Sequence, residues 1–473
     1  MPHHNQYGSL PNRRNMGQNK CTQDYRSPSE KCRNQNPDQH SQTIGPDGPV
    51  LLQDTILHET LDTFVHEKMI ERAVHTKGYG AFGCFTAYQS MRPYTKASFL
   101  QRPGQVTYTF SRFSFAVSTK GTPDTARNVR GFSTKFYTDS GVFDLLCNHI
   151  PVFLVRDAMK FPTAIKSLSP SASNNLPNPL AFWKFVAETP ESAHFVTLLY
   201  SDLGTLASFR CMRTYGVNTY VWENEKGVRR YVKYHWIPSC QECTLTRQEA
   251  AKLAGENPNI AGEELYNTLA GGETYQYELC VQFMNMDEAC SLSFDPLDDT
   301  KVWDQEQFPL TRVGCLTLDR NVDNYQQQVE KAAFSPANLI DGIQLSADKM
   351  LQGRSFVYWD AQRRRIGPDF RDIPVNHEEK WSPDKMVSSG NGACISGTIM
   401  RSEIEKEDNF TQAGEHYLSL CQEARDHLVD NIASELYSAP EHIRNCVLSY
   451  LSAANQEYGA RVQECMYWYQ KQL

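Results

Sequence analysis

The chain has 473 residues and a formal charge of −8, from 47 Lys and Arg against 55 Asp and Glu. This length allows two or three domains or one large one, with ample chain to build a core. The negative charge gives no electrostatic reason to expect nucleic acid or an anionic membrane as a partner. No apolar run approaches the roughly 20 residues that span a bilayer, and the first residues lack the pattern of a signal peptide. We therefore expect a soluble intracellular protein.

Residues 1–45 are rich in Asn, Gln, Ser, Pro and charged residues and have almost no apolar spacing. Such a segment cannot bury enough surface to fold alone, so it is either a mobile arm or a strap that lies on a partner subunit. From residue 50 the amino-acid composition changes, and apolar residues recur at helical spacing. The residues of this stripe are Leu57, Leu61, Phe64, Val65 and Met69.

The middle of the chain predicts β structure. Short aromatic and Thr-rich runs cover residues 84–90, 105–118 and 131–138, and a hairpin pattern covers 217–236 around the turn at Gly227. Helical spacing returns in 246–255 and 263–272, and β-like runs follow at 275–286 and 315–320.

The last third of the chain divides at about residue 403. Residues 321–400 are rich in Pro, Gly and Asn and predict a long extended wrapping segment, whereas 403–473 are almost wholly helical in spacing. The predicted fold class is α+β. The predicted divisions are 1–60, an N-terminal arm with the first helix; 61–320, a β-rich domain with a helical insertion; 321–402, the wrapping segment; and 403–473, a helical domain.

The fourteen cysteines are scattered singly, and without a secretory signal the expected state is the reduced thiol. Cys240 and Cys243 form a C-x-x-C pair. A zinc site of this kind needs a second pair of ligands at similar spacing, and none follows nearby. We therefore expect neither a metal nor a redox role for this pair.

Three stretches indicate chemistry. His75 follows Glu71-Arg72, and the polar pair Asn148-His149 interrupts an apolar run, which costs free energy unless these groups have partners or a task. Arg354 and Tyr358 are four residues apart and share one helical face if the segment is helical. A guanidinium beside a phenol favours the ionised phenol, and a phenolate is one of the few protein ligands of haem iron.

On these stretches the chain resembles a haem catalase of the small-subunit type. The likeness runs from about residue 36 to about residue 459 and includes the long motifs at 37–55, 130–146, 334–354 and 407–436. The resemblance implies a haem-catalase-like fold with an antiparallel β-barrel core. It also implies a haem, most simply b-type, that disproportionates hydrogen peroxide to water and dioxygen through a ferryl intermediate in a homotetramer.

The resemblance implies a role for each of eleven residues. His75 and Asn148 match the catalytic pair above the haem, Tyr358 matches the axial iron ligand, and Arg354 matches the arginine that keeps that tyrosine ionised. The remaining matches are Arg72, Arg112 and Arg365 for the haem propionates, Ser114 beside His75, and Val74, Phe153 and Phe161 against the haem faces.

Several positions depart from the family pattern. Ala116 and Asn128 stand where the access channel usually has Val and Asp, so we expect a wider channel without the carboxylate that orients peroxide. Cys147 replaces a glycine before Asn148, and His149 replaces an asparagine. Asn218 stands where the proximal side often has His, and because it cannot carry charge we expect weaker proximal tuning.

Binding of NADPH, common in these catalases, is doubtful in this chain. Matching residues are His194, Ser201, Tyr215, Val302 and Trp303, but the expected basic positions hold Leu203, Ile237 and Gln305. Because an NADP 2′-phosphate needs cations, we expect weak or absent binding.

Two questions stay open at this stage. The first is the function. The altered channel at Phe115, Ala116 and Asn128 indicates an alternative, in which the protein is a catalase-like peroxidase or a fatty-acid hydroperoxide isomerase. The final residues QKQL match a peroxisomal address poorly, so the cytoplasm is the expected location and the peroxisome is the alternative.

Overall fold

The structure is a computed structural model that describes residues 41–44, 47–66, 69–241, 243–377, 400–401, 404 and 408–472. The chain divides into two compact units, Met1–Lys68 and Met69–Leu473. Most of the predicted arm and the end of the predicted wrapping segment lie outside the described residues.

The first unit contains helix α1, Thr55–His66. Its first turn is capped by Asp54, whose carboxylate accepts a hydrogen bond from the Leu57 N–H at 3.0 Å. The helix ends before Met69, so that residue is not part of the predicted stripe, and the predicted boundary after residue 60 falls inside the helix.

The second unit is built on an antiparallel sheet. Its strands in the described part of the chain are β1 Gly78–Ala87, β2 Val106–Phe115, β3 Arg130–Thr138, β4 Gly141–Asn148, β5 Thr214–Tyr215, β6 Tyr220–Glu223, β7 Arg229–Pro238, β8 Tyr275–Asn285, β9 Thr311–Asn321 and β10 Ile343–Leu345. The order is β10-β6-β7-β5-β4-β3-β2-β1-β9-β8, and pairing of β7 with β8 closes eight strands into a barrel. The predicted β-barrel core and α+β class are confirmed.

Side chains alternate between the two surfaces of the barrel, as the pleat of a strand requires. Phe113 on β2, Phe132 on β3 and Cys147 on β4 belong to the aromatic core inside the barrel. Their neighbours Ser114 and Asn148 therefore face outward. The outer surface of β2, β3 and β4 is where the candidate site lies.

Helices cover the outside of the barrel. The remaining helices of the described residues are α2 Phe161–Leu168, α3 Pro179–Ala187, α4 Ala193–Tyr200, α5 Arg247–Glu256, α6 Ile260–Ala270, α7 Lys349–Arg365, α8 Thr411–Ser419, α9 Gln422–Leu436, α10 Glu441–Ala454 and α11 Gln456–Lys471. On α10 the buried residues Ile443, Val447 and Leu451 recur every four positions, as an amphipathic helix requires. The C-terminal helices share one apolar cluster with α3 and α4. None of the described helices is long and apolar enough to cross a membrane.

The predicted extended wrapping segment is wrong in its central part. Residues 349–365 form the 17-residue helix α7, which begins at Asp348, where the carboxylate accepts the Leu351 N–H at 2.8 Å. The signal was present, because Asp348 is a favoured N-cap and Arg363, Arg364 and Arg365 occupy the last turn. Because this helix is mostly polar, a search for apolar residues at helical spacing does not detect it.

The prediction of reduced thiols is wrong for two cysteines. Cys211 and Cys243 form a disulfide, with their Cα atoms 5.9 Å apart across a sequence separation of 32. The sequence could not pair them, because the fold alone brings the segment before β5 beside the segment after β7.

One buried ion pair joins the barrel to the chain that follows β9. Lys135 Nζ lies 2.7 Å from Asp144 Oδ1, and both side chains are fully buried. The other oxygen of Asp144 accepts the Ser335 N–H at 2.9 Å and the Asn338 amide at 2.7 Å. We expect Lys135→Met to lower the free energy of unfolding by about 3–5 kcal/mol, because it leaves a buried carboxylate unpaired. Chemical denaturation followed by tryptophan fluorescence measures this.

The matched control is Lys184→Met, which breaks an exposed ion pair with Glu188 at 4.0 Å. This change should alter the unfolding free energy by less than about 0.5 kcal/mol. Equal losses in the two variants would contradict the importance assigned to Lys135.

Candidate haem site

All eleven residues singled out in the sequence line one cavity of about 830 Å³, a volume typical of ligand sites. They are Arg72, Val74, His75, Arg112, Ser114, Asn148, Phe153, Phe161, Arg354, Tyr358 and Arg365. The segment before β1 supplies the imidazole, β4 supplies the amide, and α7 supplies the phenol. The sequence therefore predicted eleven residues that the fold brings to one cavity, although they are up to 293 positions apart.

The register of three strands places the groups around His75. Ser114 pairs with Gly131 across β2 and β3, and Gly131 pairs with Asn148 across β3 and β4, so the three form one row. A Cβ on Gly131 would lie 2.8 Å from both His75 Cε1 and Ser114 Oγ. Only glycine permits this approach. Sequence reasoning missed Gly131, which stands at the start of a strand where Gly has no packing advantage.

His75 is held by both its backbone and its ring. Its N–H donates to Ala116 O at 2.8 Å, its φ of 61° is in the left-handed region, and Nδ1 lies 2.9 Å from Ser114 Oγ. Burial, and then the charges of Arg112, Arg354 and Arg72, lower the pKa of His75 to about 3. The imidazole is therefore neutral at physiological pH and its Nε2 remains available for proton transfer.

His149 has a structural task. Its Nδ1 accepts the Arg130 N–H at 2.9 Å, and its Nε2 lies 2.9 Å from Leu203 O and donates to it. Both ring nitrogens thus have backbone partners, which explains how the polar pair is tolerated in an apolar run. Burial and the Arg130 charge lower the pKa of His149 to about 3.

On the α7 side, Arg354 Nη2 donates to the Tyr358 hydroxyl oxygen at 3.2 Å, and the guanidinium lies 5.3 Å from the Tyr358 ring centre. The spacing of four residues in a helix produces this contact, as predicted. Burial alone would lower the pKa of Arg354, but the phenols of Tyr358 and Tyr220 outweigh it and raise that pKa. The guanidinium therefore stays charged beside the phenol oxygen.

Arg354 is in turn connected to two buried carboxylates. Its Nη1 donates to Asn218 Oδ1, and Asn218 Nδ2 donates to Asp348 Oδ2 at 3.0 Å and to Asp299 Oδ2. Burial and the adjacent Asp348 charge raise the pKa of Asp299 well above its usual range. Sequence reasoning missed Asp299, because nothing in its local sequence places it near α7.

Three of the arginines that line the cavity, Arg72, Arg112 and Arg365, lie close together. Arg72 and Arg365 both donate to the carbonyls of Glu330 and Ala332, and Arg112 donates to Thr76 O at 3.1 Å. Burial, and then the charges of Arg112 and Arg365, lower the pKa of Arg72. One buried carboxylate, Glu330, lies 3.7 Å from Arg72, so positive charge is in excess.

These features fit a haem. Arg72 Nη1 and Arg112 Nε are buried without a hydrogen-bond partner among the described residues, which is costly unless an anion binds there. Haem propionates are such anions. The apolar rings of Phe153 and Phe161, 6.0 Å apart, provide a surface for a porphyrin, and the Tyr358 phenol is a ligand type that haem iron accepts.

The channel residues correct part of the sequence interpretation. Ala116 and Asn128 line the cavity, but Phe115 is fully buried in the barrel core and does not. The Asn128 amide donates to Val117 O at 2.6 Å and accepts the Val117 N–H at 3.2 Å. Asn128 therefore fixes the channel wall, a task that a carboxylate could perform only in part because it cannot donate.

Comparison with known proteins agrees with this geometry. The sequence model of the family described as Catalase matches residues 29–408, and that described as Catalase-related immune-responsive matches 403–466. A catalase of Methanosarcina barkeri is 40% identical over 458 residues, which cover 90% of each chain. A catalase of Capsicum annuum is 36% identical, covering 89% of this chain and 92% of its own. A fungal catalase structure has a TM-score of 0.85 at 32% identity, covering 91% of this chain and 94% of its own.

The fold and the cavity define a haem-dependent oxidoreductase. The chain belongs to the catalase family. The predicted resemblance, the haem cofactor and the assignment as an enzyme acting on hydrogen peroxide are confirmed.

The buried histidine beside the site gives a pH prediction. Between pH 3 and 6.5 the unfolded chain binds a proton at residue 149 that the folded chain does not, so stability falls as pH falls through this window. In His149→Gln the amide can accept and donate hydrogen bonds as the imidazole does, but it does not bind a proton. The slope of the unfolding free energy against pH should therefore fall by about 1.4 kcal/mol per pH unit. The midpoint pH of acid unfolding, followed by tryptophan fluorescence, should move lower.

The control is the exposed His442→Gln, which should leave the midpoint where it is. If the folded His149→Gln protein showed the same pH dependence of stability as the wild type, His149 of the wild type would be protonated in the native state, which would contradict the prediction.

Proposed function

We propose that this catalase disproportionates hydrogen peroxide, 2 H2O2 → O2 + 2 H2O, with the eleven cavity residues in the roles implied by the resemblance. The observation that carries the proposal is the convergence of a neutral His75, an outward Asn148 and an Arg354-supported Tyr358 on one cavity. When bound, the haem iron supplies the redox chemistry of both half-reactions.

The residues on the strand side of the cavity transfer protons and orient the peroxide. Neutral His75 would accept a proton from one peroxide oxygen and return it to the other. Ser114, 2.9 Å from Nδ1, holds the ring so that Nε2 points to the substrate. Asn148, in the same strand row as Ser114, donates a hydrogen bond that keeps peroxide in this orientation.

The remaining residues hold the cofactor. Tyr358 would ligate the iron, and Arg354 would stabilise its phenolate by the hydrogen bond to the phenol oxygen. Arg72, Arg112 and Arg365 would bind the propionates, whose charge would balance the surplus positive charge there. Val74, Phe153 and Phe161 would pack on the macrocycle, for which we propose haem b.

The test is dioxygen release by haem-loaded protein in millimolar peroxide, measured with an oxygen electrode. His75→Ala should lower turnover by at least about 10²–10⁴-fold, the usual contribution of a general acid–base group, while the Soret band persists. Tyr358→Phe should weaken haem binding and shift that band. The matched control is the exposed His442→Ala, with unchanged turnover.

The same preparation decides the alternative function. The observation that favours this alternative is that positions 116 and 128, which line the cavity, carry Ala and the uncharged Asn128. Consumption of a fatty-acid hydroperoxide without dioxygen release from hydrogen peroxide would establish the peroxidase or isomerase reading and overturn the catalase proposal.

Weak or absent NADPH binding is part of the proposal. Leu203 packs against the C-terminal helical cluster, and Gln305 is exposed and uncharged. Burial, and then the His416 charge, lower the pKa of His194 to about 3, so His194 supplies no cation. Calorimetric titration with NADPH should give no saturable binding below about 100 μM; a micromolar dissociation constant would contradict this.

We further propose the four-part domain division, a homotetramer, and a cytoplasmic rather than peroxisomal location. Exposed large apolar side chains support the assembly, because such groups favour an interface. On α1 they are Ile56, Leu61, Phe64 and Val65, and on α7 it is Phe356.

A further inference from the structure

Three cysteines that the proposed function does not use lie together beside the barrel. Cys211 and Cys243 form a disulfide, and the thiol of Cys240 lies 3.6 Å from the Cys211 sulfur. This thiol also donates to the Arg210 carbonyl at 2.9 Å. The C-x-x-C pair of the sequence is thus completed by a third sulfur that no local pattern indicates.

We propose that Cys211, Cys240 and Cys243 form a thiol–disulfide exchange site that reacts with low-molecular-weight thiols and disulfides. In the internal step, the Cys240 thiolate attacks Cys211 Sγ. A Cys211–Cys240 bond forms, the Cys211–Cys243 bond breaks, and Cys243 leaves as the thiolate and takes up a proton. No external oxidant is needed for this step.

The contact distance makes the attack local. At 3.6 Å the two sulfurs are in van der Waals contact, so exchange requires only a small movement of the Cys240 side chain. Each of the three cysteines is half-buried, neither sealed in the core nor fully exposed. A small external thiol therefore meets a disulfide with a third thiol already beside it.

The charges around Cys240 set the conditions of the exchange. Burial raises the pKa of the Cys240 thiol, Arg210 opposes this, and Glu264 adds to it. The Tyr277 hydroxyl also faces this site, and it donates to Phe209 O at 2.6 Å. The thiol is thus protonated at neutral pH, and exchange is faster in mildly alkaline solution.

The site is connected to the barrel core. Cys211 ends a short helical turn that begins with Phe209, whose ring stacks on Phe113 at 4.7 Å. Cys243 precedes Thr244, which bridges to Leu206. The disulfide therefore ties together the two chain segments that hold Phe209 against the core, and its reduction should loosen residues 206–211.

The test uses the full-length protein and requires no peroxide turnover, so it is independent of the proposed function. Cys243→Ser protein is incubated with oxidised glutathione at pH 8.5, quenched in acid, alkylated and mapped by mass spectrometry. We expect most Cys211 in a Cys211–Cys240 bond, formed with release of two glutathione thiols. Cys211 and Cys240 recovered as separate alkylated or glutathionylated residues would overturn the proposal.

Two comparisons guard against a folding artefact. Cys421→Ser, which removes an exposed thiol elsewhere, should keep the wild-type pattern. In the wild type, a trace of dithiothreitol should produce Cys211–Cys240 beside Cys211–Cys243, and Cys240→Ser should abolish the former. The exchange site would also be refuted if the three cysteines of the wild-type protein bound zinc and resisted alkylation.

Discussion

The two-residue period of β2, β3 and β4 is the constraint on which both the core and the cavity depend. Because alternate side chains face opposite surfaces, the sequence that fills the barrel with Phe113 and Phe132 also delivers Arg112, Ser114 and Asn148 to the outer surface. A slip of one residue would exchange these sets, placing arginine among aromatic rings and phenylalanine at the cavity. Selection on core packing therefore fixes the site geometry as well.

The same constraint explains which departures from the family pattern matter. Cys147 is beside Asn148 in sequence and borders the cavity, but its side chain packs in the barrel core. Burial raises the pKa of its thiol, so it acts as a small apolar group and not as a nucleophile at the site. Ala116 and Asn128 do reach the cavity, and there Asn128 is occupied by the backbone of Val117.

Much of the fold and of the cavity lining could be predicted from the sequence. Strand and hairpin patterns were strong around Gly227, and the Arg354–Tyr358 spacing correctly placed both groups on one helical face. One failure, the extended segment predicted where α7 lies, came from the polar composition of that helix, and the others depended on partners distant in sequence. The Cys211–Cys243 bond and the role of Gly131 follow from which strands and segments become neighbours, and no local pattern encodes that.

The α7 side shows how hydrogen bonding and charge can be separated. Asn218 was expected to weaken proximal tuning because it carries no charge, yet its amide still joins Arg354 to Asp348 and Asp299. If both acids ionise, the two carboxylates carry two negative charges and the Arg354 guanidinium carries one positive charge. Because Asn218 is uncharged, these groups then have one negative charge in excess. Burial and the Asp348 charge raise the pKa of Asp299, which reduces that surplus, whereas the charge of the buried Lys233 favours the ionised acid. Asn218 thus keeps the hydrogen bonds to Arg354, Asp348 and Asp299 without adding a charge of its own.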